Sequence, residues 1–345
     1  MSPEEKKPEV RLYIPGKDDA LCATLFNLVF EEKITPAFWH HKYAQNPDGA
    51  WAFLTFVEDK LISVSGWPVR RLKVDSETYP VVSMSDVMVH PKWRGRYGGR
   101  LGSIARPLWE NIFKKASIPF GVAFPNPRHY LVGKRFVRAE DLGEFKVAEE
   151  TFTRGWKTSF IAEIFRRLKC LKMKLPKNVR IERFSFSEPP FEDLTKLWQK
   201  VYPFLKVTYV KDIQHLLWRY FEWERFLPEK RRVFFLIRDE KTPLAFISLK
   251  EILFSKTIKG FELEEILTTP EKAQIVLQTA RFIALRAGGH FLRYLISPAL
   301  GLSASKMERK APVLWRTFAY QGERKFLKER ILPRRWHLTL GDIAV

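Results

Sequence analysis

The feature that most constrains this chain is Val87-Met88-Val89-His90-Pro91-Lys92-Trp93-Arg94-Gly95-Arg96-Tyr97-Gly98-Gly99-Arg100-Leu101, an apolar strand that runs into a basic, glycine-rich turn and opens a helix. Gly98 and Gly99 free the backbone amides at the helix start from side-chain obstruction, so the turn is a cradle for a phosphate-bearing ligand. The helix dipole adds to the attraction, and Arg94, Arg96 and Arg100 surround the turn with cations. A strand that feeds a helix in this way lays the helix back on a sheet, which commits the region to a mixed α/β layer.

The flanks extend that reading. Leu101, Ile104, Ala105, Leu108, Ile112 and Phe113 recur at helical spacing and predict a helix that faces a sheet, kinked at Pro107. A short apolar strand follows in Phe120-Gly121-Val122-Ala123-Phe124-Pro125-Asn126, and a further strand is expected near 142–147. Upstream, a strand over 10–14 precedes a helix capped by Asp18 or Asp19 that carries Leu21, Leu25 and Leu28 on its apolar face. Strands over 51–57 and 61–68 flank the hairpin turn Glu58-Asp59-Lys60, and a strand over 74–88, with a turn around Ser76, leads into the glycine-rich turn.

Strand, Pro-x-x-Arg-Gly-x-x-Gly-Gly and helix together resemble the coenzyme A pyrophosphate loop of the GNAT superfamily of N-acetyltransferases. That loop reads Arg or Gln, two residues, Gly, one residue, then Gly or Ala; counted from Arg94, Gly99 takes the last position and Tyr97 stands where the first glycine is usual. Phe38-Trp39-His40-His41-Lys42-Tyr43 with Asn46-Pro47, and Phe124-Pro125-Asn126 after the fifth strand, resemble a bacterial subgroup of that superfamily.

From Asn178 the pattern starts again. A strand over 179–184 and a helix over 191–201 precede Leu217-Trp218-Arg219-Tyr220, which matches the aromatic helix of the first half, and the hairpin 234–249 parallels 53–66. The counterpart of the phosphate turn, after Phe261-Glu262-Leu263-Glu264-Glu265-Ile266-Leu267, reads Thr268-Thr269-Pro270-Glu271-Lys272-Ala273-Gln274 and has neither glycines nor an arginine fork. The expected fold class is therefore α/β, with two GNAT-like domains, each a mixed, largely antiparallel sheet flanked by helices. The expected division is 1–150 as the acyl-CoA-binding domain, 151–177 as a basic amphipathic linker helix, and 178–345 as a degenerate copy with an acceptor-site or structural role. The alternative is two unrelated mixed domains.

Charge and cysteine content bound the partners. Lys and Arg number 60 against 39 Asp and Glu, a net charge of +21, which draws in polyanions: coenzyme A, nucleic acid or an anionic membrane surface. The linker helix, with Phe160, Ile161, Ile164, Phe165, Leu168 and Leu171 among Arg166, Arg167, Lys169, Lys172 and Lys174, either lies on such a surface or packs at a junction. Cys22 and Cys170 are too few for a disulfide framework, and 1–8 has no apolar signal core, so a cytoplasmic protein is expected. No histidine cluster has metal-ligand spacing, and no nucleophile–His–acid arrangement stands out, so neither a metal nor a covalent acyl-enzyme is expected.

The resemblance implies an acyltransferase that passes an acetyl or other acyl group from acyl-CoA to a small-molecule or macromolecular amine by direct attack. It places the thioester where the strand ending at Val89 splays from 120–124, with the amide of Met88 or Val89 polarising the carbonyl, and the cofactor held by Arg94, Gly95, Arg96, Tyr97, Gly98, Gly99 and Arg100. Asp86 is the carboxylate nearest that point, as base or as a buried structural group. The proton donor to the thiolate in this superfamily falls on Gly133 here, so Tyr130, with His129 second, takes the role unless it is a core aromatic; Asn126 bonds the pantetheine arm or caps the next helix. The competing readings are a non-catalytic acyl-CoA-binding scaffold, an aminoacyl-tRNA-dependent transferase and a polyanion-binding protein.

Overall fold

The computed structural model describes residues 7–96, 104–137, 139–152, 159–176, 178–227, 231–253, 258–302, 307–317, 329–331 and 336–343. Two compact units emerge, Met1–Gly143 with Pro312–Leu332, and Glu144–Ala311 with Pro333–Val345. The division falls inside a strand at 143/144, and the segment expected as a linker belongs to the second unit.

In the first unit the order is β1 (Glu9–Leu12), α1 (Asp19–Phe30), α2 (Pro36–Ala44), β2 (Ala50–Val57), β3 (Lys60–Val74), β4 (Glu77–Val89), α3 (Arg106–Lys115), β5 (Phe120–Ala123) and α4 (Pro127–Val132), after which β6 (Glu140–Thr151) begins. Strands β1 to β4 pair antiparallel in sequence order, and β5 joins β4 in parallel. Glu58 and Asp75 take left-handed conformations that close the two hairpins.

Successive residues of a strand face opposite sides, and β3 uses both. Trp67 meets Trp109 and Phe113 of α3 at ring separations of 5.5 and 5.1 Å, while neighbouring Gly66 faces Tyr43 of α2. Ile104 is helical, Ala105 is a bend and α3 resumes at Arg106, so the helical path is interrupted just before Pro107, which sits in the first turn of α3 where its missing N–H has no partner to lose; residues 101–103 lie outside the described residues. Helix α1 is rotated from the expected face. It buries Cys22, Ala23 and Leu25 and leaves Leu21 and Leu28 exposed, because Asp18 is held by Arg11 at 2.6 Å and by the Ile14 amide at 2.8 Å, fixing the phase at which the helix starts.

The second unit takes in most of β6, α5 (Ser159–Lys172), β7 (Val179–Phe184), α6 (Phe191–Val201), β8 (Val207–Tyr209), and α7 (Ile213–Leu216), which widens into a π-type turn at Leu217–Phe221. It continues with β9 (Arg232–Asp239), β10 (Thr242–Leu253), β11 (Lys259–Thr268), α8 (Ala273–Arg286), β12 (Phe291–Leu295), the start of β13 (Met307–Thr317), which passes to the first unit at Pro312, β14 (Trp336–His337) and α9 (Leu340–Ile343). Again β7, β9, β10 and β11 pair antiparallel in that order and β12 joins β11 in parallel. Leu194, Leu197 and Val201 of α6 and Val276, Leu277 and Ala280 of α8 belong to the core packed on this sheet.

Each sheet is completed by a strand from the other half of the sequence. The far neighbour of β5 is the stretch 314–317 of β13, and the far neighbour of β12 is the stretch 147–151 of β6, both antiparallel. On α5, Arg166 reaches inward to the Leu285 carbonyl at 2.5 Å, whereas Ile164, Leu168 and Leu171 are exposed beside the cations. Among the described residues no helix is long and apolar enough to cross a membrane.

Candidate functional site

The chemistry-bearing residues of the first unit gather where β4 is irregular. Val64 pairs with Met88 but Gly66 pairs with Ser85, which leaves one extra residue in β4: a bulge over Asp86 and Val87. Asp86 sits at φ 46°, a left-handed conformation that asparagine and aspartate tolerate best and that stores strain in the middle of a strand. Pairing of β4 with β5 covers only Val82, Ser83 and Met84, so beyond Met84 the two strands part.

Alternation within the pair then assigns the amides. The His90 amide donates to the Ile62 carbonyl at 2.8 Å, so the Met88 amide, two residues back, also faces β3. The Val89 amide between them points the other way, toward the side where β5 has ended.

The Asp86 carboxylate is held from two sides. Lys42 Nζ lies 2.6 Å away with both side chains less than a tenth exposed, and the Tyr43 hydroxyl donates to it at 2.6 Å. Burial, and then the Asp86 charge, push the Tyr43 phenol well above its ordinary range, so it remains a donor at any working pH. A Cβ at Gly66 would overlap that hydroxyl, and the Tyr43 ring stacks on Trp39 at 4.6 Å. Edge-on to Tyr43 stands Tyr13, whose hydroxyl donates to Asp19; the other Asp19 oxygen is 3.0 Å from His40 Nδ1, and His40 is about a third exposed.

After β4, His90 Nδ1 accepts from the Lys92 amide and Pro91–Trp93 form one 3₁₀ turn. Arg94 folds back so that its Nε donates to the Val89 carbonyl at 3.3 Å, Gly95 takes φ 82°, and the Arg96 guanidinium lies 5.0 Å over Trp93. Tyr97, Gly98, Gly99 and Arg100 lie outside the described residues. Asp86, Met88, Val89 and Arg94 are thus brought together at one strand end. Asn126 accepts from the His129 amide at 2.9 Å and caps α4, and the Tyr130 hydroxyl bonds Asp141, which Lys134 also pairs at 2.9 Å.

Sequence reasoning missed Lys42, Tyr43 and Gly66 as parts of this site. The available signal was Gly66 itself, since a glycine inside an otherwise apolar strand marks a bulge or a close approach.

The second unit repeats the arrangement with different residues. Ser248 pairs with Glu265 and Leu249 with Leu263, which leaves Glu264 as an extra residue and a bulge in β11. Lys211 Nζ is 2.8 Å from both Glu265 oxygens, the Tyr220 hydroxyl donates to Glu265 at 2.8 Å, and Asp342 joins Lys211 at 2.7 Å. Among the described residues no group of three His, Cys, Asp or Glu side chains is placed to hold a metal ion.

No protein-family model and no curated protein matches the chain. Solved structures do. A GCN5-related N-acetyltransferase from Anabaena variabilis superposes with a TM-score of 0.64 at 14% identity, over 90% of this chain and 73% of the other. A probable N-acyltransferase from Enterococcus faecalis gives 0.62 at 11%, over 90% and 73%. Saccharomyces cerevisiae N-myristoyltransferase with bound myristoyl-CoA gives 0.55 at 12%, over 91% and 83%. At these identities the likeness establishes the fold, which is the GNAT fold: mixed α/β, with two sheets flanked by helices.

Proposed function

We propose that the chain is a tandem GNAT-type acyltransferase whose first unit takes acetyl-CoA or another acyl-CoA and passes the acyl group to an amine. The observation that carries this reading is the β4 bulge. It ends the β4–β5 pairing and turns the Val89 amide toward the gap, where a thioester oxygen accepts from it as charge builds on that oxygen. Arg94 and Arg96, exposed at the end of the same strand, supply cations to a pyrophosphate, and Gly98 and Gly99 follow them in the sequence. A structural neighbour with bound myristoyl-CoA supports an acyl-CoA on this fold.

In the reaction the neutral amine attacks the thioester carbon. A C–N bond forms, the C–S bond breaks, and the electron pair leaves on sulfur. The acceptor's proton passes to Asp86, directly or through water, and Lys42 and Tyr43 fix how that carboxylate is presented. Tyr130 returns a proton to the thiolate once its hydroxyl leaves Asp141. The tandem reading is supported by the common strand order and the paired bulges; the second unit, with Pro270–Lys272 in place of a glycine turn, is a structural partner.

Calorimetric titration of acetyl-CoA and coenzyme A into the protein and into Gly99→Glu tests this. One site per chain, lost in the variant, is expected, followed by a mass gain of one acyl group on an amine acceptor. Salt-sensitive RNA binding with no heat from millimolar acetyl-CoA would overturn it in favour of a polyanion-binding protein.

A further inference from the structure

The second unit has the strands that form the gap in the first, and it has something in the gap. His90-Pro91 after β4 corresponds to Thr269-Pro270 after β11, which sets Asp86 on Glu265 and Val87 on Ile266. Likewise the turn Ser297-Pro298 after β12 stands where Asn126-Pro127 stands after β5. The far sides of the two gaps are therefore Asn126 in the first unit and Ser297 in the second.

His337 spans the second gap. Its Nε2 lies 3.0 Å from the Ile266 carbonyl and its Nδ1 lies 3.0 Å from the Ser297 hydroxyl. A carbonyl only accepts, so Nε2 carries the proton and Ser297 donates to Nδ1. Full burial, with the Lys211 charge next, brings the imidazole down to about 3, which keeps it neutral and preserves this pattern at working pH.

The rest of the segment is held as firmly. β14 runs parallel to β8, pairing Trp336 with Val207 and His337 with Thr208. Asp342 reaches Lys211 at 2.7 Å and accepts from the Thr339 amide at 3.0 Å, and Arg219 donates to the Gly341 carbonyl at 2.7 Å. A Cβ on Gly341 would collide with the Tyr220 hydroxyl and come within 2.8 Å of the Glu264 carbonyl, so the backbone itself fills the space beside the bulge. Trp336, His337 and Leu338 have no exposed surface.

We infer that the segment 336–343 is a built-in occupant of the second unit's β11–β12 gap, a peptide standing where the first unit is open to an acyl donor. The second gap is closed by the chain's own backbone, and each chain loads one donor. The comparison of gaps rests on the proposed function; the docking of the segment does not.

Hydrogen exchange on the full chain tests the docking alone. Peptides covering 336–343 are expected to exchange as slowly as those of β11. His337→Ala and Asp342→Asn are expected to speed exchange at 336–343 and 264–268 by about tenfold or more, with 60–89 unchanged. Exchange of 336–343 within seconds in the unaltered protein overturns the inference, and so does fast exchange spread equally over 60–89 in the variants. Native mass spectrometry with acetyl-CoA gives the second reading: one donor per chain supports the inference and two overturn it. No bound donor overturns the proposed function, and the exchange result still judges the segment.

Discussion

Each unit carries a bulge beside a buried carboxylate met by a lysine and a tyrosine, and the two clusters differ in backbone conformation and in partners. In the first unit Asp86 is held in a left-handed conformation, its carboxylate is met by Lys42 and Tyr43 from the same short helix, and the pairing of β4 with β5 ends at Met84. In the second, neither Glu264 nor Glu265 takes a positive φ, the cation comes from Lys211, and Asp342 adds a second carboxylate in a cluster with almost no exposed surface. Arg219, which precedes Tyr220 as Lys42 precedes Tyr43, turns to the Gly341 carbonyl and to the Trp223 ring at 4.0 Å. On the proposed function, the strained carboxylate of the first unit serves a ligand, whereas the second unit uses similar groups for stability.

The largest effect that separates the two is the loss of each lysine. Lys211→Met leaves Glu265 and Asp342 buried without their cation, and breaking a buried pair from one side costs about 3–5 kcal/mol. Urea unfolding followed by unit-resolved hydrogen exchange should show the second unit opening first. Lys42→Met is expected to cost less, about 1–3 kcal/mol, because Lys42 pairs with the single carboxylate of Asp86 where Lys211 pairs with two, and to show mainly as lost acyl transfer. Equal stability losses with no change in turnover would break the comparison.

Next is the residue opposite each bulge. Gly66→Ala places a methyl group on the Tyr43 hydroxyl, and overpacking of this kind costs about 1–3 kcal/mol while displacing the donor from Asp86. Denaturation midpoint and turnover should fall together. If stability falls while kcat holds, Tyr43 does not position Asp86 for the reaction.

These effects mark what could be read from the chain and what could not. Strand and helix identities were legible because each has its own period: β7 and α6 fall on the residues that alternation and helical spacing pick out. The glycine-rich turn stands out in the sequence because its residues are contiguous, but Tyr97 to Arg100 lie outside the described residues. The Asp86 cluster was not, since Tyr43 meets it across 43 residues and Lys42 reads as one more surface cation in a chain of +21. The pairing of β13 with β5 and of β6 with β12 joins segments far apart in sequence, and nothing in the local pattern of either strand announces its partner.

Acid should find the sealed unit before the open one. His337 is held neutral down to about 3, from an ordinary 6.5, by burial and then by Lys211, with Asp342 opposing and the Ile266 carbonyl and Ser297 hydroxyl in contact. The unfolded chain takes up a proton below 6.5 and the folded one does not, so stability is complete above 6.5 and is lost as pH falls toward 3. The slope is at most about 1.4 kcal/mol per pH unit. From pH 6.5 to 5.5 the loss should come to about 1 kcal/mol, and His337→Gln should abolish it. A slope unchanged in the variant would place the acid sensitivity outside the occupied gap.

The smallest effect is the most discriminating, because its sign differs between the two units. Ser248 stands in β10 where Gly66 stands in β3, and its hydroxyl is buried with no hydrogen-bond partner. Removing an unsatisfied buried hydroxyl relieves a desolvation cost at little loss of packing, so Ser248→Ala is expected to leave stability unchanged or raise it by up to about 1 kcal/mol. Alanine at Gly66 is expected to destabilise and alanine at Ser248 is not, because the Tyr43 hydroxyl occupies the space a Gly66 Cβ needs, whereas Ser248 already carries a Cβ. A matched pair of thermal melts decides it: if Ser248→Ala lowers the midpoint as far as Gly66→Ala, the second bulge is as tightly threaded as the first, and the contrast between an open and a sealed copy loses its structural basis.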